Sequence, residues 1–182
     1  MHVWRSEAEY GLGPCAVALG TFDGLHVGHQ ALIRRAMELA GELGAASVVY
    51  TFDRHPLSVL CPERAPRELL TLEEKLDKLE RLGVDGVLLK PFSKEFAAME
   101  PVEYLEMLTR DLRAKAVVAG FNYTFGAQGR GNAALIEREA ARLGYRAEIV
   151  EAVRDGGDTV SSTLIRRLFD CGEIARAQRL MR

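Results

Sequence analysis

The run Gly20-Thr21-Phe22-Asp23-Gly24-Leu25-His26-Val27-Gly28-His29 constrains this chain more than any other segment. It follows a short apolar stretch, Cys15 to Leu19, and leads into an amphipathic pattern from Ala31 to Leu43. Read in order, that is a strand, a glycine-rich turn and a helix start. Glycines let the backbone come close to an anion, and free amides at a helix N-terminus point at it. His26 and His29 fall on one side of the first helical turn, so both imidazoles can reach one group. The unit reads as a phosphate-holding site, with Gly20, Thr21, Phe22, Asp23 and Gly28 as its framework. Asp23 could equally be an ordinary Asp-Gly turn residue.

Apolar runs and helical patterns alternate along most of the chain. Strands are expected at 15–19, 47–52, 86–89, 116–119 and 147–150. Between them, Leu72, Leu76, Leu79 and Leu82 mark one apolar stripe, and Thr71 with Glu74 supplies a capping box before it. Pro101 suits the first turn of a helix carrying Tyr104, Leu105, Leu108 and Leu112, and Asn132 suits the N-cap of another. This alternation predicts an α/β fold: a parallel sheet, flanked by helices, with right-handed crossovers. Ligands of such sheets bind beyond the carboxyl ends of the strands. The unusual segments 20–29, 52–56 and 120–132 all follow strands, which predicts one site built from three loops.

Composition narrows the class. The chain has 182 residues, 48% hydrophobic and 27% charged, with a formal net charge of −2. That length suits one domain burying roughly 70% of its unfolded surface. The charge balance provides no broad basic face, so nucleic acid is not an expected partner. Cys15, Cys61 and Cys171 are isolated, which suggests reduced thiols and a cytoplasmic setting. No apolar run is long enough for a membrane span or a signal peptide. No third ligand stands at metal-site spacing beside the histidines, so no protein-held metal is expected.

Three further segments carry chemistry. Thr51-Phe52-Asp53-Arg54-His55-Pro56 closes the second expected strand; a proline there is locally ordinary. Gly120 to Asn132 combines Phe121, Asn122, Tyr123, Phe125 and Arg130 with three further glycines, Gly126, Gly129 and Gly131, that space the loop. Aromatics with a few directed polar groups suit a planar ring, and an arginine suits a phosphate. A surface loop with its phenylalanines folded inward is the plainer alternative. Val160-Ser161-Ser162-Thr163-Leu164-Ile165-Arg166 offers hydroxyls at a helix start, where they act as caps or as an anion cradle.

The H-x-G-H block with S-S-T-x-I-R far downstream resembles the nucleotidyltransferase superfamily. The longer G-T-F-D-G-L-H-V-G-H, with T-F-x-x-H-P and G-x-N-x-x-F-G, resembles its FAD synthetase (FMN adenylyltransferase) branch. The resemblance runs from about Cys15 to about Arg182 and implies a Rossmann-like fold of the HxGH type. It implies transfer of AMP from ATP to the phosphate of FMN, giving FAD and pyrophosphate, with Mg2+ carried on ATP. It assigns His26, His29 and Arg166 to catalysis. Gly20, Thr21, Phe22, Asp23, Gly28, Ser162 and Thr163 fall to ATP, and His55, Pro56, Asn122, Phe125 and Arg130 to FMN. Arg54 departs from the pattern, standing where many relatives have proline. Bacterial relatives usually continue into a riboflavin kinase domain. Residues 1–182 are accordingly expected to form the FAD synthetase domain alone, with FMN supplied by a riboflavin kinase domain or protein. Three alternatives stay open: a nucleotidyltransferase of the same fold with another phosphorylated acceptor, a silent flavin- or nucleotide-binding module, and, least favoured by the charge balance, an RNA-binding protein.

Overall fold

The computed structural model describes all 182 residues. Six strands form one parallel sheet: β1 (His2–Trp4), β2 (Cys15–Leu19), β3 (Ala46–Phe52), β4 (Gly86–Lys90), β5 (Ala114–Gly120) and β8 (Arg146–Val150), in the order β1-β4-β3-β2-β5-β8. Every residue of β2 is buried, as expected of a central parallel strand covered on both faces. Helices α1 (Val27–Leu43) and α3 (Leu72–Leu82) cover one face, and α5 (Pro101–Asp111) and α6 (Ala133–Leu143) the other. Short helices α2 (Leu57–Leu60) and α4 (Lys94–Ala97) follow β3 and β4. Two small hairpins, β6 (Thr124–Phe125) with β7 (Gly131–Asn132) and β9 (Arg154–Asp155) with β10 (Asp158–Thr159), follow β5 and β8. Helices α7 (Ser162–Asp170) and α8 (Ile174–Leu180) finish the chain around a third apolar cluster. None of the helices is long and apolar enough to cross a membrane.

The expected α/β architecture and its five expected strands are present, 15–19 with the expected bounds and the other four with ends adjusted by a residue or two. The capping box is formed: the Thr71 side chain accepts from the Glu74 amide, while the Glu74 carboxylate accepts from the Thr71 amide. Helix α1 starts at Val27, ahead of the apolar periodicity, because His26 is its N-cap. The H-x-G-H run therefore straddles the cap and first turn. The chain leaves β2 toward β3 and β4, then crosses to β5 on the other side of β2. That reversal opens a crevice beyond the carboxyl ends of β2 and β5, where ligands of open α/β sheets bind.

Candidate active site

His26 is buried, and its Nδ1 accepts the amide of His29 at 3.3 Å. The neutral ring therefore carries its proton on Nε2. The His29 ring stacks on it at 3.6 Å between centroids and 17° between planes, with the buried Phe22 ring edge-on behind. Gly28 makes this packing possible, since a Cβ there would lie 3.2 Å from the His26 Nδ1. Burial draws the His26 pKa down to about 4, and the His29 pKa well below its ordinary value. Both rings are thus neutral near pH 7. His29 Nδ1 is the one buried side-chain nitrogen or oxygen without a hydrogen-bond partner.

The two rings border a cavity of about 360 Å³ at the crevice, together with Gly20, Thr21, Gly28, Asn122, Ser162 and Thr163. Two helices start there. Ser161 caps α7, accepting from the Leu164 amide at 3.1 Å, and the Ser162 hydroxyl donates to the Asp23 carbonyl at 2.8 Å. The amides of Gly28, Ser162 and Thr163 donate to no acceptor within the protein. Two helix N-termini with open amides facing one cavity make an anion site.

A second cavity, about 600 Å³, lies beside the first and is aromatic: Phe52, Phe92, Phe96, Tyr104, Tyr123 and Phe125 line it, with Pro56 at its wall. Thr21, Tyr123 and Thr124 border both cavities. Half of the aromatic wall, Phe92, Phe96 and Tyr104, comes from the β4–α4 turn, α4 and α5, which carry no sequence motif; Phe52, Tyr123 and Phe125 come from the motif segments. Spaced aromatics there read as ordinary core.

Other expected residues fall elsewhere. Arg166 borders neither cavity; its guanidinium pairs with the Asp23 carboxylate and donates to the Arg67 carbonyl at 2.7 Å. Asp23 also accepts the Leu69 amide at 2.9 Å, so its carboxylate ties the first loop to residues 67–69. Phe22 is fully buried, main chain included, so it packs the site from behind and offers a ligand no open surface. Asn122 borders the histidine cavity, not the aromatic one. Arg130 is exposed and pairs with Glu100 at 2.7 Å, outside both. His55 Nδ1 accepts the Leu57 amide at 3.2 Å, and the ring sits in a narrow cleft with Asp23, Asp53 and Lys75.

Lys75 was not legible as a site residue, although one signal existed. It lies between Leu72 and Leu79 on the inward stripe of α3, where a cation is out of place. Its buried ammonium donates to the carbonyls of Thr21 at 3.1 Å and Phe52 at 3.3 Å. No cluster of three or more His, Cys, Asp and Glu side chains is placed to hold a metal ion, so the donor set does not fit an all-protein metal cage.

The comparisons with known proteins agree with this geometry. The model of the FAD synthetase family matches residues 10–164. A bifunctional riboflavin kinase/FMN adenylyltransferase of Listeria monocytogenes is 37% identical over 166 residues, which is 91% of this chain and 52% of that protein. The protein of the same name from Bacillus subtilis is 32% identical, over 91% of this chain and 52% of its own length. The chain thus spans about half the length of these relatives. A crystal structure named as a macrolide-efflux protein from Streptococcus pneumoniae superimposes with a TM-score of 0.84 at 31% identity, covering 98% of this chain and 59% of that one. With its family model matched over most of its length, and the motif histidines gathered at the switch point of the sheet, the chain belongs to the FAD synthetase family.

Proposed function

We propose that this chain is an FMN adenylyltransferase, carrying AMP from ATP to FMN. The observation that carries the reading is the meeting of two unlike cavities at Thr21, Tyr123 and Thr124. One is polar, with two helix N-termini suited to phosphates; the other is aromatic and suited to an isoalloxazine ring. FAD is a nucleotide and a flavin joined through their phosphates, so its formation needs two such sites in contact.

In this reading an oxygen of the FMN phosphate attacks the α-phosphorus of ATP in line. The new P–O bond forms as the bond from the α-phosphorus to the bridging oxygen breaks, and pyrophosphate leaves. The acceptor needs no general base, because a phosphate monoester with a second pKa of about 6 is already largely ionised at pH 7. The work left to the protein is alignment and charge stabilisation. His26 and His29, both neutral, donate hydrogen bonds to the transferred phosphoryl group. The open amides of Gly28, Ser162 and Thr163 hold phosphate oxygens, with Gly20 and Thr21 at the same edge. Pro56 and Phe125 contact the flavin, and Asn122 reaches the phosphates between the two substrates. Arg166, Asp23 and His55 act behind the site, fixing its loops, and Arg130 stands at the outer edge of the flavin loop. Magnesium belongs to the ATP complex, where it neutralises phosphate charge and keeps several of its waters.

Residues 1–182 form, on this reading, one adenylyltransferase unit working in the cytoplasm, where its three unpaired cysteines stay reduced. Incubating the purified chain with ATP, magnesium and FMN, and in parallel with riboflavin, tests the proposal by chromatography. FAD from FMN, without FMN from riboflavin, is expected. Absence of FAD while FMN still binds would leave a binding module instead, and absence of both would direct the search to other phosphorylated acceptors.

A further inference from the structure

The Thr21 carbonyl is held from two sides. Lys75 Nζ donates to it at 3.1 Å, and the Thr51 hydroxyl donates to it at 3.0 Å. The same ammonium reaches the Phe52 carbonyl at the end of β3, so one side chain ties together the loops that follow two neighbouring strands. Thr21 itself borders both large cavities. Its peptide bond to Phe22 is trans, so the carbonyl and the Phe22 amide point in opposite directions. Neither the Thr21 nor the Phe22 amide donates to any acceptor within the protein. Phe22 also has a φ of 51°, in the left-handed region that a non-glycine residue keeps only when its surroundings hold it there. Thr21, unlike the buried Phe22, keeps some exposure where the two cavities meet, and a free amide there suits an anion.

We propose that Lys75 is a positioning residue for adenylyl transfer: together with Thr51 it fixes the Thr21 carbonyl and so holds the open Thr21 amide toward the phosphoryl group between the two cavities. The proposal rests on the adenylyltransferase reading. It gives a reason for a buried cation that forms no ion pair. Asp23, Asp53 and Glu68 stand around the ammonium at longer range, close enough to favour its charge without taking it from the carbonyls. Its positive field also extends to His29 and His55.

The test uses Lys75→Met, Thr51→Val and the double variant, with thermal unfolding as the check on folding. For Lys75→Met, kcat falls about 10- to 100-fold, within the range for losing an oriented donor, while KM for FMN stays within about twofold. Thr51→Val gives a smaller loss in the same direction, and the double variant loses less than the two separate effects combined, because both act on one carbonyl. Independently of turnover, the 15N-labelled Thr21 amide resonance shifts when a non-hydrolysable ATP analogue binds the wild type, and that shift is lost in Lys75→Met. A folded Lys75→Met with unchanged kcat overturns the proposal, as does strict additivity of the two substitutions or a Thr21 amide that ignores the nucleotide. Should Lys75→Met not fold, Thr51→Val is judged by the same kcat and amide criteria. A wild type that forms no FAD would defeat the adenylyltransferase reading, and the amide shift with its dependence on Lys75 then decides the positioning role by itself.

Discussion

Neutral histidines act differently from charged ones. His26 and His29 are stacked, desolvated and close to Lys75, so neither bears a proton to spare before a ligand arrives. In the proposed mechanism their contribution is an oriented N–H that meets charge only as it develops on the phosphoryl group. Replacing His29 with alanine should therefore lower kcat by about 100- to 1000-fold, with a much smaller loss of ATP affinity. Steady-state kinetics alongside calorimetry with a non-hydrolysable analogue would check this, and equal losses in both would mean simple substrate holding. The same burial links stability to pH. In the unfolded chain these imidazoles take up protons near pH 6.5; in the folded chain His26 does so only near pH 4, and burial likewise draws His29 well below its ordinary value. The unfolded state thus binds more protons between those values, so stability is full above about pH 6.5 and falls as the pH drops toward 4. Thermal unfolding from pH 7 to 4.5 should show this fall, and His26→Asn with His29→Asn should flatten it. The histidines were legible because their spacing and glycine setting are local. The roles of Arg166 and Lys75 were not, because each depends on a partner far along the chain: Asp23 for the first, Thr21 and Phe52 for the second.

The loop between β6 and β7 has a fixed base and an open tip. Its strands pair Thr124 with Asn132 and Phe125 with Gly131. The Ala127 amide donates to the Met99 carbonyl at 2.7 Å, and Gly126 lies so close to Pro101 that a Cβ would meet it at 2.7 Å. Beyond these anchors, Gln128 and Gly129 border the aromatic cavity with little else against them. Hydrogen exchange of residues 126–131 should slow on adding FMN with an ATP analogue, while the amides of β2 stay unchanged. Exchange unaltered by both ligands would show that this loop does not close on the flavin. At this scale the sequence is readable where a local rule decides. Thr71 with Glu74, Pro101 and Asn132 mark helix starts through their own chemistry, and all three are found there. Strand β1 and the two hairpins were missed for the opposite reason. They are three or two residues long and exist because a partner strand is already in place, as where Trp4 packs over Gly86.

The topology of the whole molecule sets the two cavities side by side. Strand β2 is the pivot: its following loop supplies the histidines, while its neighbours β3 and β5 lead into Pro56 on one side and Tyr123 and Phe125 on the other. The start of α7 completes the histidine cavity and is anchored through the Ser162 hydroxyl and the Asp23 carbonyl. Arg176 of α8 ties the β9–β10 hairpin down through Asp155 and Asp158. A ligand that fills both halves should therefore stabilise the fold more than either fragment. At a ligand concentration of 100 times Kd, binding adds about 2.7 kcal/mol, or roughly 5–10 °C in Tm for a domain of this size. Compared at one common concentration, FAD should raise Tm well above the rise given by FMN or AMP alone. The Lys75→Met variant should reduce the FAD shift more than the FMN shift, since its effect falls at the phosphate junction. An FAD shift no larger than that of FMN would mean that the flavin occupies its cavity while the nucleotide hangs free, and the two cavities would then have to be treated as separate sites.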